Sequence, residues 1–163
     1  MAHVSKTLAH KTAAFPKREQ TNYIVVHCAD TPPKMDVGVN DIRQWHIARG
    51  WKDVGYHYVI RRSGLIESGR HFSVTGAHVQ GHNKDSVGLC LVGRERNYTD
   101  AQWESLAHAV NQLSKYFKGA KVVGHSDLDR LKKPHCPGFD VPAWWAAYQS
   151  GIMDQARAFD NIA

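Results

Sequence analysis

Three side chains far apart in the chain, His27, His125 and Cys136, are of the types that bind borderline-soft divalent cations, and each stands where an apolar run gives way to a polar loop. Two imidazoles and one thiolate leave one position of a tetrahedral zinc ion open to water, the arrangement a hydrolytic zinc site needs. The chain thus reads first as a metallohydrolase. For any single histidine the bland account is the stronger one, since the chain has 11 and most histidines are solvated or hydrogen-bonded without catalytic meaning. Position separates His27 and His125 from the rest. Both follow apolar β-type runs, Ile24-Val25-Val26 and Val122-Val123, so two parallel neighbouring strands would deliver both imidazoles to one edge of a sheet, where open α/β folds place their sites. Cys136, in His-Cys-Pro-Gly, has only a His-x10-Cys spacing to His125, and a buried thiol is its competing account.

The elements that must position these residues follow from periodicity and punctuation. Tyr23 to His27 is a β-branched run closed by Asp30-Thr31-Pro32-Pro33, a buried central strand with His27 at its end. Asn40 is the expected N-cap of a helix to Ala48, with Ile42 and Trp45 on one face and Gly50 as its C-terminal glycine. Gly55 to Arg62 alternates as a strand, with Tyr56, Tyr58 and Ile60 on one face, and Ser63-Gly64 turns it into Leu65 to Glu67. Gly76 to Asp85 is too rich in turn formers for regular structure, and Ser86 to Val92 is again a buried strand. Thr99 and Gln102 form a capping box ahead of the stripe Trp103, Leu106, Ala107, Val110, Leu113, Tyr116 and Phe117, which ends at Gly119. Lys121 to Val123 is a strand that delivers His125 into a long polar loop, and Asp140-Val141-Pro142 opens a last, aromatic helix. Strands interspersed with helices predict an α/β fold: a single-domain mixed β-sheet with helices packed on both faces.

Composition bounds the answer. A chain of 163 residues, 42% hydrophobic and 22% charged, suits one compact domain and excludes disordered or collagen-like architectures. The net charge of +6 implies attraction to polyanions without choosing among them. Part of it is local: Lys6, Lys11, Lys17 and Arg18 outweigh Glu19, so residues 1–20 read as a basic N-terminal arm and 21–163 as the domain. The arm's apolar residues are interrupted by His3, Lys6, His10 and Lys11, which predicts neither a secretory leader nor a membrane span. Three cysteines argue for thiols rather than a disulfide framework: Cys90 as a core residue, and Cys28 facing away from His27 on its strand. Nucleic-acid binding ranks low, because no helix-turn-helix, zinc-finger spacing or recognition-motif aromatic pair accompanies the charge.

The segments Ile24-Val25-Val26-His27-Cys28, Trp51-Lys52-Asp53-Val54-Gly55-Tyr56-His57-Tyr58, Gly76-Ala77-His78, Ser86-Val87-Gly88-Leu89-Cys90-Leu91-Val92-Gly93, Val123-Gly124-His125-Ser126-Asp127-Leu128 and Cys136-Pro137-Gly138-Phe139-Asp140 run in order from Asn22 to Trp145. Together they resemble the zinc-dependent N-acetylmuramoyl-L-alanine amidases of the phage lysozyme type, in the superfamily of the peptidoglycan recognition proteins, and co-linear motifs are far more specific than any one alone. The resemblance implies one Zn2+ per chain held by His27, His125 and Cys136, with Tyr56 as catalytic tyrosine. It implies hydrolysis of the amide between N-acetylmuramic acid and L-alanine. The family's phage members usually carry a lysine two residues before the cysteine; here that position is Pro134, leaving Lys133, His135, or Tyr56 acting alone to serve instead. Lys133 is preferred. His46, Trp51 and His78 fall in or beside family-like segments as candidates for the saccharide and peptide groove, with packing as the competing account for Trp51.

The resemblance also sets the alternatives. Some members of the superfamily bind peptidoglycan without cleaving it; those usually lack the cysteine ligand, which this chain retains. A phage lysozyme of this type also binds and inhibits its phage's RNA polymerase, so an RNA polymerase is a partner to consider beside peptidoglycan, and the basic arm suits anionic outer-membrane or wall polymers. The expected setting is an endolysin acting as a monomer, made in the host cytoplasm and reaching the cell wall through a separate membrane pore.

Overall fold

A computed structural model describes residues 15–151 together with the two-residue strand β1 (Val4–Ser5). The elements that follow are β2 (Tyr23–Cys28), α1 (Val39–Ala48), β3 (Tyr58–Ile60), β4 (Ile66–Ser68), β5 (Ser86–Leu91), α2 (Asp100–Tyr116), β6 (Lys121–Gly124), α3 (His125–Leu128) and α4 (Val141–Ser150). The strands form one mixed sheet in the order β1-β4-β3-β5-β2-β6, parallel throughout except for the β3–β4 hairpin.

Central strands explain the long apolar runs. Ile24, Val25 and Val26 of β2, and Val87, Leu89, Cys90 and Leu91 of β5, are all fully buried, because each strand is covered on both faces and alternation has no exposed side to report. On one face α2 and α4 bring Leu106, Val110, Leu113, Val141 and Trp145 against Ile24, Val26, Leu89 and Leu91. On the other, α1 packs Val39 and Ile42 on Val59, Cys90 and Val92. Each fully buried aliphatic side chain stabilises the fold by about 1.5–3 kcal/mol relative to exposure. The result is the expected α/β sheet with helices on both faces.

Several local expectations shift for physical reasons. Helix α1 begins before Asn40, with Gly38 as N-cap, because the Asp41 carboxylate accepts the Gly38 N–H at 2.9 Å and Glu67 Oε1 accepts the Val39 N–H at 3.0 Å. Its buried face is Val39, Ile42, Arg43 and His46, and Trp45 faces solvent at 39% exposure. The strand expected over Gly55 to Arg62 contracts to Tyr58–Ile60. Upstream of it, Gly55 lies so close to the Ala77 carbonyl that a Cβ would sit 2.0 Å from that oxygen, and Tyr56 packs on the α1 face whereas Tyr58 packs on the α2 face. In the α2 stripe, Tyr116 is exposed, edge-on to Phe72. The capping box is present, with Gln102 N–H donating to Thr99 Oγ1 at 3.1 Å and Thr99 N–H to Gln102 Oε1 at 3.0 Å.

Pro16 and Arg18, in the segment read from sequence as a basic arm, are hydrogen-bonded to residues 72–75. Thr75 N–H donates to the Pro16 carbonyl at 2.8 Å, Arg18 N–H to the Ser73 carbonyl at 2.8 Å, and the Arg18 guanidinium to the carbonyls of Phe72 and Val74, each at 2.6 Å. The rest of the arm, apart from the backbone of β1, lies outside the described residues.

Candidate metal and active site

The β2–β6 register builds the site. Val26 pairs with Gly124, so the next residues, His27 and His125, emerge side by side at the carboxyl ends of two adjacent parallel strands. Their Nδ1 atoms are 3.0 Å apart. His125 is the first residue of the short helix α3 rather than part of a loop, and Asp127 closes that turn by accepting the Gly124 N–H at 2.7 Å.

Cys136 arrives on a loop that is pinned at several points. Ser126 N–H donates to the Cys136 carbonyl at 2.9 Å, and the Tyr98 hydroxyl donates to the Pro137 carbonyl at 2.6 Å. Gly138 takes φ +100 against the Glu95 backbone, where a Cβ would sit 2.3 Å from a carbonyl oxygen. One donor atom from each of His27, His125 and Cys136 lies within 4.8 Å of the others. Cys28 packs on the α2 face, yet its N–H donates to Cys136 Sγ at 3.2 Å and its own sulfur lies 3.6 Å from that atom. The hydrogen bond from the Cys28 thiol to Cys136 Sγ lowers Cys28, and that hydrogen bond together with burial raises Cys136. Two imidazole nitrogens and a thiol, with no carboxylate among them, form a donor set suited to zinc.

The histidines are neutral by environment. Burial, then the neighbouring histidines and Lys133, push His27 well below its ordinary value. Burial lowers His125 to about 4, against the opposing pull of Asp129 and with the help of Lys133. Tyr56 lies 5.0 Å from His27 between ring centroids, and burial raises its phenol well above the ordinary value, so it is an O–H donor at neutral pH. The segment that carries Tyr56 is braced by a buried ion pair, Arg43 Nε to Asp53 Oδ1 at 2.6 Å, and by the Gly55 N–H donating to His46 Nδ1 at 2.9 Å.

A cavity of about 250 Å³ opens over these groups, lined by Tyr56, His125 and Cys136 on its floor and by Lys132, Lys133, Pro134 and His135 on its rim. Lys132 is held by Gln80 at 2.7 Å. Among the remaining candidates, the His46 ring lies tilted against those of Trp51, at 4.4 Å, and Tyr56, at 5.5 Å. His78 lies behind His27, buried, with Nδ1 2.8 Å from His27 Nε2. Ser86, which hydrogen-bonds His78, and the backbone amide of Cys28 were not singled out by sequence. The available signal was Gly88, a glycine inside a buried strand, which marks a close approach; it faces the His78 ring.

Comparison with known proteins agrees with this architecture. Residues 17–139 match the family described as N-acetylmuramoyl-L-alanine amidase. The endolysin of Klebsiella phage KP32 is 45% identical over 138 residues, covering 80% of this chain and 89% of that protein, and the endolysin of Escherichia phage T7 is 41% identical with the same coverage. Among solved structures, the N-acetylmuramoyl-L-alanine amidase LysC from Clostridium intestinale superposes with a TM-score of 0.67 at 29% identity, over 76% of this chain and 80% of that one. The chain belongs to the N-acetylmuramoyl-L-alanine amidase family. It is accordingly a peptidoglycan hydrolase of the amidase class, and none of its described helices is long and apolar enough to cross a membrane.

Proposed function

We propose that the chain is a zinc-dependent endolysin amidase in which His27, His125 and Cys136 hold the ion and Tyr56 and Lys133 act on the substrate. The observation that supports this reading is the convergence of two imidazoles and one sulfur within 4.8 Å of one another, with His125 and Cys136 lining a cavity beside the neutral Tyr56. When bound, the ion supplies Lewis acidity toward the scissile carbonyl and makes water nucleophilic near neutral pH.

The chain's own residues do the rest. The Tyr56 hydroxyl donates to the carbonyl oxygen as negative charge develops there, where a single donor is worth roughly 3–4 kcal/mol. Lys133 on the rim adds positive charge, and it is the loop lysine whose field reaches both His27 and His125. Trp51, 36% exposed and backed by the buried His46 ring, offers a ring surface to the glycan or peptide. Water adds across the amide, leaving the lactyl carboxylate on N-acetylmuramic acid and a free amine on L-alanine. In this reading the protein is made in the host cytoplasm and meets the wall after passing a separate pore.

Mass spectrometry of digested peptidoglycan tests the reaction. The expected products are intact glycan strands and stem peptides with a free L-alanine amine; reducing sugar ends in their place overturn the assignment. Chelation is expected to abolish the activity and added zinc to restore it, and binding without cleavage in either condition identifies a recognition module instead.

A further inference from the structure

Behind the cation-facing side of His27 runs a chain of buried hydrogen bonds that the proposed reaction leaves unexplained. His27 Nε2 lies 2.8 Å from His78 Nδ1, His78 Nε2 lies 3.1 Å from Ser86 Oγ, and Ser86 Oγ donates to the His82 carbonyl at 2.6 Å. A carbonyl only accepts, so the one hydroxyl proton of Ser86 is committed to it. Ser86 Oγ therefore accepts from His78 Nε2–H. A neutral imidazole carries one ring proton, which makes His78 Nδ1 an acceptor and assigns the proton between the two rings to His27 Nε2. His27 Nδ1 is left with a bare lone pair, facing His125 Nδ1 at 3.0 Å.

We propose that His78 is a positioning residue that fixes the tautomer and ring orientation of His27, with Ser86 fixing the tautomer of His78. This rests on the metal-binding reading above. The backbone is shaped around the His78 ring: a Cβ at Gly88 would sit 2.6 Å from His78 Nδ1, and one at Gly76 would sit 2.7 Å from His78 Cδ2. The neighbouring His57 does not compete for the relay. Its Nδ1 accepts the Gly88 N–H at 2.9 Å and its Nε2 faces the Val74 carbonyl at 2.8 Å. Partners that orient a metal-bound histidine commonly set affinity by 10–100-fold.

Two measurements on the full chain test the proposal. In metal-free protein labelled with 15N-histidine, long-range 1H–15N spectra at neutral pH are expected to show the proton on Nε2 of both His27 and His78; a proton on His78 Nδ1 overturns the relay whatever the metal affinity. Competition with a chromophoric chelator is expected to show zinc held about 10–100-fold more weakly by His78→Leu. His78→Asn, whose Oδ1 replaces the acceptor, should recover most of the loss. If His78→Leu does not fold, Ser86→Ala carries the test by removing one oxygen, and unchanged zinc affinity with an unchanged His78 tautomer overturns the proposal. A wild-type protein that takes up no zinc sinks the metal reading and the proposal with it. Wild type that binds zinc beside a folded His78→Leu that binds it equally sinks the proposal alone.

Discussion

Cys136 and Tyr56 share one cavity and make separable demands on it. Cys136→Ser replaces a soft thiolate by a hydroxyl that stays protonated, so metal analysis is expected to show zinc falling from stoichiometric toward none, with activity lost in parallel. Stoichiometric zinc in that variant would remove Cys136 from the ligand set. Tyr56→Phe deletes a donor and no ligand. Turnover is expected to fall by about 10²–10³ with zinc content unchanged, and wild-type kinetics would exclude Tyr56 from the chemistry. Both residues were singled out in sequence through the family resemblance. The relay proposed for His78 was not, because it depends on which ring nitrogen carries a proton, and the partners there are Ser86 and, through it, a backbone carbonyl.

Among the elements, β2, β5 and α2 were legible because long apolar runs and a capping box report burial and helix entry directly. The start of α1 was not. Glu67 of β4 supplies an acceptor for its first turn, and no local pattern announces a partner that distant in sequence. The segment before β3 misled for a related reason: alternation continues through Tyr56, but Gly55 packs closely on the Ala77 carbonyl and Asp53 pairs with Arg43, contacts with partners distant in sequence that no local pattern announces. Strand β5 carries a testable consequence. Gly88→Ala places a methyl against the His78 ring, and overpacking of this kind costs about 1–3 kcal/mol. Urea unfolding of the metal-free variant is expected to show that loss, accompanied by weaker zinc binding; a stable variant with normal affinity would mean the ring has room to move.

For the molecule as a whole, buried neutral histidines set the response to acid. Burial lowers His57 to about 3 and His46 and His125 to about 4, each from an ordinary value near 6.5. Below about pH 6.5 the unfolded chain takes up protons that the native state refuses, so stability is full above that pH and declines as pH falls toward the native values. Denaturant midpoints of the metal-free protein are expected to drop steadily from pH 7 to pH 4, and a flat profile would contradict the burial of these rings as neutral bases.

His27 and His125 stand 98 residues apart in the chain, and Cys136 follows still later. An ion shared by all three would be a clasp, fastening the opening strand of the domain to its closing loop and tying folding to metal supply. Ligand present at a thousand times its dissociation constant adds about 4 kcal/mol to native stability. Thermal melts are therefore expected to shift upward with free zinc and to collapse to the apo midpoint under chelation, so that scarcity of the metal would disarm the protein by loosening its fold as well as by silencing its chemistry.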